Sequence, residues 1–253
     1  GNVGIGTTSP TTNLHVHTDA NGEGVLIKST GNTSNALTFD ANRGTEGVIA
    51  AMYGRWNGTT VAQISFTSGA DGTNKDDGII TFGTESAASN GNVNASEKMR
   101  LDSSGRLLIG TTASLGVFGL AAQLQIAGST AGESSLALRR FGNSAQGAFF
   151  TFSKSRNAAD GSRTIVQNGD ELGRVAFCAD DGTDLVTGAA EIRANVDGTP
   201  GSNDMPGRLT FFTTSDGSAT LSERMRIDSS GNVGIGETTA ADNRIRSTSP
   251  HAY

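Results

Sequence analysis

The sequence predicts an all-β protein built from repeated modules, and three observations support this. A fifteen-residue phrase occurs twice, at 96–110 and 222–236, with 10 of 15 positions identical. The chain also opens on the end of that phrase, since 1–6 match 231–236 at every position. Short apolar runs fill the rest, and no stretch of ten residues shows a helical stripe. Self-similarity of this kind is typical of modular arrays.

The repeated phrase predicts two short strands joined by a tight turn. Apolar and charged residues alternate with a period of two, which is typical of a half-buried strand. The turn at 229–232 places Gly231 where a positive φ is needed, a conformation that glycine adopts readily. We predict that Arg224, Arg226 and Asp228 face solvent or pair with a neighbouring chain. The apolar positions, which we predict to form a buried structural joint between modules, are Met99, Leu101, Ile109, Met225, Ile227, Val233 and Ile235.

The remaining strands are predicted from compact apolar runs bounded by turn residues. Asn-Gly and Asp-Gly pairs, as at Asn57-Gly58, supply the positive φ of tight hairpins. A short helical turn at 219–224 is the most helix that the sequence allows. The predicted strands are 14–16, 24–27, 36–39, 48–52, 61–66, 78–82, 123–126, 135–138, 148–152, 174–177, 190–194 and 208–212.

The spacing of the phrase predicts the domain organisation. We expect a first β module at 1–104 and a second at 105–230, with 231–253 beginning a third module or forming a C-terminal tail. The second module is longer mainly between 153 and 173, a polar insertion of the kind that falls on surface loops. Because the chain opens in mid-phrase without an initiator Met, we expect it to be part of a longer polypeptide.

Composition narrows the functional classes. The net charge of -6 argues against a nucleic-acid partner, because such partners require concentrated positive charge. No apolar run approaches the ~18 residues of a membrane span, and one cysteine, Cys178, excludes an intrachain disulfide. The chain has 35 Gly and is 35% hydrophobic, which suits thin β-layers whose burial is completed by other chains. We therefore predict a stable homo-oligomer and no membrane insertion.

Candidate chemical sites are few. His15 and His17 flank one strand residue, so both rings face one side and copies from three chains could hold an axial ion, although polar surface contacts are the favoured interpretation. The run 180–184 carries three aspartates but lacks the spacing of a calcium loop, so a hairpin turn is favoured. No nucleophile, phosphate-loop or metalloprotease motif occurs. We predict a protein that is not an enzyme and has no cofactor and no catalytic metal. A glycosidase pair assembled across subunits stays open as the alternative.

Two loops are candidates for contact with a receptor. The first carries Tyr53, Arg55 and Trp56, whose aromatic rings could stack on sugars, although packing under the turn is the favoured alternative. The second lies in the polar insertion and carries Arg156 and Asp160.

The phrase Glu-Arg-Met-Arg-Ile-Asp-Ser-Ser-Gly-Asn-Val-Gly-Ile-Gly at 223–236 resembles a motif of bacteriophage tail-fibre proteins. The opening 1–10, followed by Leu14-His15-Val16, is similar to the same family. The resemblance implies an elongated, parallel, intertwined homotrimer of short strands, often followed by a C-terminal intramolecular chaperone. It implies a structural and receptor-engaging role in the virion tail, outside the cell. Its partners would be other tail or virion proteins and a host cell-surface glycan or protein. Two alternatives are a polysaccharide-degrading tailspike and a secreted bacterial surface repeat protein, in which similar phrases occur.

Overall fold

The computed structural model describes residues 1–19, 24–31, 34–86, 94–238 and 245–247. Throughout these ranges the regular structure is β-strand, without a helix, as predicted. The strands are β1 (Val3–Ile5), β2 (Leu14–Val16), β3 (Gly47–Trp56), β4 (Thr59–Ser68), β5 (Gly78–Thr84), β6 (Glu97–Leu101), β7 (Leu107–Ile109), β8 (Leu124–Ile126), β9 (Glu171–Cys178), β10 (Gly188–Val196), β11 (Gly207–Thr214), β12 (Leu221–Ile227), β13 (Val233–Ile235) and β14 (Ile245–Ser247).

The duplicated sequence folds into a duplicated topology. Strands β3 to β8 form one open six-stranded sheet in chain order, and β9 to β14 form a second in the same way. In each sheet the first five strands pair antiparallel and the last pairs parallel. The short pair β1–β2 is also parallel and matches β7–β8 and β13–β14. The same joint therefore occurs three times in the described chain.

The two faces of each sheet differ in chemistry. Because side chains alternate along a strand, the pairing register assigns each cross-strand row to one face. One row of the first sheet is Ser65, Thr81, Arg100 and Leu108, and the matching row of the second is Arg193, Thr210, Arg226 and Gly234. The opposite face carries the apolar rows Ile64, Phe82, Met99, Ile109 and Ile192, Phe211, Met225, Ile235.

The more covered face within the single chain is the polar one. Ser65, Leu108 and Thr210 are each at most 2% exposed. The apolar face is partly open, since Met52 is 47%, Phe177 53% and Ile235 42% exposed. We name this second surface the apolar face and use the term for both sheets.

The chain buries little apolar material by itself. Four apolar residues among those described are buried: Ala95, Leu108, Val166 and Val196. The accessible surface is 18582 Å², whereas a compact monomer of 25.8 kDa would expose roughly 10,500 Å². The single chain therefore leaves most of its apolar side chains without the cover that a globular core provides.

Four predicted strands are wrong. Residues 24–27, 36–39, 135–138 and 148–152 carry apolar runs but form no strand. A strand requires a hydrogen-bonded neighbour as well as an apolar pattern, and these segments have no ladder partner among the described residues of the chain. The short helical turn that the sequence allowed at 219–224 does not form, because strand β12 begins at Leu221.

Candidate functional site

The repeated phrase forms a turn closed by an aspartate in both copies. Asp102 Oδ1 accepts the backbone N–H groups of Ser104 at 2.9 Å and Arg106 at 3.0 Å. Asp228 Oδ1 accepts those of Ser230 at 2.9 Å and Asn232 at 2.8 Å. In each copy the backbone also closes the turn through the glycine N–H, at 2.9 and 3.0 Å. Gly231 has φ +83°, as the sequence predicted.

These hydrogen bonds favour the charged form of both aspartates. Partial burial raises the pKa of Asp102, but the backbone and side-chain donors of Arg106 and the backbone N–H of Ser104 outweigh it. For Asp228, burial likewise raises the pKa, and the donors of Asn232 and Ser230 outweigh it. Each pKa therefore lies below the ordinary aspartate value, and each turn is held by an ionised carboxylate.

The second half of the phrase directs the chain into the parallel pair. Gly110 follows β7 with φ +75°, and a Cβ there would lie 2.0 Å from the carbonyl oxygen of Ala127. Gly6, the matching residue of the first joint, would meet the oxygen of His17 at 2.2 Å. The glycine thus permits a close backbone approach that closes the joint.

The predicted joint residues lie where the register requires, on the apolar face. In the single chain Leu101 is 40% exposed and Ile235 is 42% exposed, and the other apolar joint residues are half-buried. Their burial at contacts between chains stays a prediction, because it concerns an assembly.

Arg226 does not face solvent in the single chain, and its pairing with a neighbouring chain stays a prediction. Arg226 makes two hydrogen bonds with Glu223, at 2.5 and 2.8 Å, and its side chain is 15% exposed. The first copy repeats the pair with Arg100 and Glu97. A register shift in β12 brings the two partners, three residues apart, together on the polar face. Arg224 does lie on the surface, bonded to Thr213 and Ser215.

A buried ion network in the second sheet was missed by the sequence reasoning. The side chain of Glu191 is fully buried and contacts Arg193 and, at 3.2 Å, Arg174. The Arg193 guanidinium lies 4.3 Å from the ring centroid of Phe212. The available signal was the pair Glu191 and Arg193, charged residues two apart in an apolar strand, which places both on one face.

The first candidate receptor loop is the tip of the β3–β4 hairpin. Asn57 and Gly58 have φ of +48° and +85°, which makes the tight turn that the sequence predicted. Trp56 is 80% exposed, so the favoured alternative of packing under the turn is wrong for the single chain. The guanidinium of Arg55 lies 5.3 Å from the ring centroid of Tyr53. Alternation along β3 places Trp56 on the apolar face, whereas Arg55 and Tyr53 lie on the polar one.

The second candidate loop, 154–170, is held by ion pairs. Arg156 binds Asp170 through two hydrogen bonds of 2.7 and 2.6 Å, and Lys154 lies 3.8 Å from the same carboxylate. These contacts hold the pKa of Asp170 well below its usual range, the side-chain hydrogen bonds of Arg156 being the largest cause. Asp160 lies exposed at the outer part of the loop. Arg156 therefore orders the loop and is not a free contact group.

The described chain offers no preformed metal centre, in that no group of three or more His, Cys, Asp or Glu is placed to hold an ion. The rings of His15 and His17 lie 6.3 Å apart, and His15 Nδ1 accepts the N–H of Thr11 at 3.4 Å. In the 180–184 run, Asp181 Oδ1 accepts the N–H groups of Thr183 and Asp184, as a turn aspartate does. The described residues also contain no helix suited to crossing a membrane.

Comparison with solved structures identifies the class of fold. The chain is similar to the carboxy-terminal domain of the bacteriophage T5 L-shaped tail fibre, with a TM-score of 0.63 and 17% identity over 84% of this chain and 90% of that one. The same domain with its intramolecular chaperone matches with a TM-score of 0.66 and 16% identity. That match covers 85% of this chain and 62% of the longer one.

No protein-family model and no curated protein matches the chain. The likeness shows that the chain has a tail-fibre-like all-β fold. At 16–17% identity it shows the fold alone.

Proposed function

We propose that this chain is a structural and receptor-engaging segment of a bacteriophage tail fibre, located in the virion tail. Three parallel copies would lie around one axis, with the joints as the tightest contacts between chains. The modules would be those the phrase delimits, 1–104 and 105–230, with 231–253 as a third module's beginning or a C-terminal tail. Other tail or virion proteins would be its partners within the particle.

The observation that carries the proposal is the uncovered apolar face on a tail-fibre-like fold. The chain exposes roughly 8,000 Å² more than a compact monomer of its mass would. Obligate interfaces bury about 2,000–5,000 Å² or more, so an excess of this size is what a subunit of an intimate homo-oligomer would leave open. The apolar face runs through both sheets and all the apolar joint residues, which makes it the surface to be covered.

The receptor-engaging part of the proposal rests on the loops. Tyr53, Arg55 and Trp56 at the hairpin tip and Asp160 in the 154–170 loop lie away from the joints in sequence and are exposed. Aromatic and charged side chains on rigid loops are suited to a glycan or protein on a host cell. Three copies of each loop on one fibre would bind multivalently, so that weak single contacts sum to firm attachment.

Light scattering after gel filtration tests the assembly. The expected mass is about three times the 25.8 kDa of one chain. A monodisperse monomer at micromolar concentration would refute the proposal.

Binding is tested with fluorescently labelled protein on bacterial cells that carry or lack their surface polysaccharide. The matched variant pair is Arg55→Ala and Arg55→Lys, which separates the guanidinium from its charge. Incubation of the protein with the purified polysaccharide tests for degradation. Intact polysaccharide chains are expected, and shortened polysaccharide chains would favour the polysaccharide-degrading tailspike instead.

A further inference from the structure

A long segment of the second module is without backbone partners in its own chain. We call residues 136–154 the long arm; it lies between the parallel joint β7–β8 and strand β9. Across the described chain, no backbone group of the long arm hydrogen-bonds to another backbone group. One of its carbonyls, that of Gln146, accepts a side-chain hydrogen bond of 2.6 Å, from Arg140 within the same arm. Water can bind these groups while the arm is exposed, but backbone donors and acceptors that become buried need protein partners.

Most apolar side chains of the long arm are exposed, and Phe152 packs against its own chain, over Gly173 of β9. Phe141 is 92% exposed, Phe149 76%, Phe150 67% and Leu136 62%. The rings of Phe150 and Phe152 contact each other edge to face, with centroids 4.9 Å apart, as residues two apart on an extended chain can do. An isolated extended segment is not stable in water, because no contacts offset the entropy lost when it is ordered or cover its apolar side chains.

The first module carries the same feature at the same place. Between the joint β1–β2 and strand β3, the described residues Val25, Leu26 and Leu37 are 72%, 83% and 66% exposed and belong to no strand. Exposed apolar residues outside the strands therefore occur at this place in both modules. In the long arm they lie on a backbone without backbone partners, which is suited to strand addition, in which main-chain hydrogen bonds supply affinity.

We propose that the long arm is donated between copies of this chain: its backbone hydrogen-bonds to neighbouring copies, and its phenylalanines are buried there. This deepens the proposed function and rests on it, because it names the element that intertwines the chains. A second copy is the occupant that fits, since the excess surface of the chain spans both modules and matches an obligate homo-oligomer.

Hydrogen–deuterium exchange of the assembled full chain tests the donation. The reference is the same chain kept unfolded by urea at the same concentration before and during exchange. Peptides covering 136–154 are expected to exchange at least about a thousandfold more slowly in the assembly than in the unfolded chain. Peptides from β10 and β11, which pair within the chain, serve as the protected control.

Each outcome decides between the proposals. A trimer in which 136–154 exchanges within about tenfold of the unfolded chain would overturn the donated arm and leave the fibre proposal standing. A monomer would overturn both. Protection of the arm in a monomer would show that the arm folds on its own chain. Protection that appears only after a receptor glycan is added would assign the arm to the receptor.

A side-chain test is independent of exchange. Phe141→Ser is expected to lower the melting temperature of the assembly by roughly 5–10 °C, because a ring that is 92% exposed in the single chain would be buried in a neighbour. Phe141→Leu, which keeps most of the apolar contact, is expected to lower the melting temperature by less than half as much. Equal melting of both variants and the parent would contradict burial of Phe141 between copies.

Discussion

Replacing Gly110 by alanine is expected to damage the assembly far more than replacing Gly105 by alanine. Both glycines belong to the same copy of the repeated phrase, and both have φ +75°. Both substitutions therefore carry the same conformational cost, roughly 1 kcal/mol per chain for a left-handed alanine. The surroundings differ, because a Cβ at Gly105 meets nothing within 4 Å whereas one at Gly110 lies 2.0 Å from the backbone oxygen of Ala127.

The magnitude for Gly110 depends on which groups must move. A real Cβ cannot approach a carbonyl oxygen to 2.0 Å, so strands β7 and β8 must separate. The hydrogen bonds at risk are Ala127 N–H to Ile109, at 2.9 Å, and Gly110 N–H to Lys98, at 3.0 Å. Each of the two hydrogen bonds contributes about 1 kcal/mol, and the conformational cost adds about 1 kcal/mol. Gly110→Ala is therefore expected to lower the free energy of unfolding by roughly 3 kcal/mol per chain.

Urea unfolding at one fixed protein concentration, followed by circular dichroism, measures both variants. Gly6→Ala provides a further comparison, since its Cβ would lie 2.2 Å from the oxygen of His17 in the first joint. Unfolding of Gly110→Ala at the same urea concentration as Gly105→Ala would contradict the close backbone approach of β7 and β8 at the joint.

Three further outcomes are expected. Ile235→Asp places a charge on the apolar face and should destabilise each chain of a trimer by about 2–4 kcal/mol. Its melting temperature should therefore be much lower than that of Arg156→Ala. Ile235→Asp trimers that melt like the parent but lose cell binding would invert the roles of joint and loop. The stability contributed by Asp102 and Asp228 should be present above about pH 4 and lost as the pH falls through their lowered folded pKa values; Asp228→Asn should flatten the melting profile below about pH 4, and an unchanged profile would contradict the ionised turn. Trp56 is the single tryptophan of the chain, and as part of an exposed receptor loop it should show red-shifted emission with full acrylamide quenching; blue-shifted, unquenched emission would contradict this and place Trp56 between chains.

The phrase was predictable because its information is local. Its alternation, its turn and its positive-φ glycine are all set within fifteen residues, and the structure has each of them. The strand prediction failed at 135–138 and 148–152 because an apolar pattern indicates residues suited to burial but does not identify the hydrogen-bonded neighbour that a strand requires. The pairing of Arg226 with Glu223 could not be predicted, because the register shift that brings Glu223 to the same face is set by pairing with β11 and cannot be derived from alternation. The cover of Glu191 likewise depends on Arg174, seventeen residues away on another strand.

The uncovered apolar face has a consequence for how such a chain behaves on dilution. A subunit with four buried apolar residues among those described has almost no core of its own to preserve, so in a trimer folding and association are one event. Each tenfold dilution would then remove about 2.8 kcal/mol per trimer, since two associations each lose about 1.4 kcal/mol. Under the proposed function, a fibre present in a few copies on one particle would be far more dilute than at its synthesis. Its persistence would then depend on a high barrier to unfolding, and its unfolding half-life would set how long the assembly lasts.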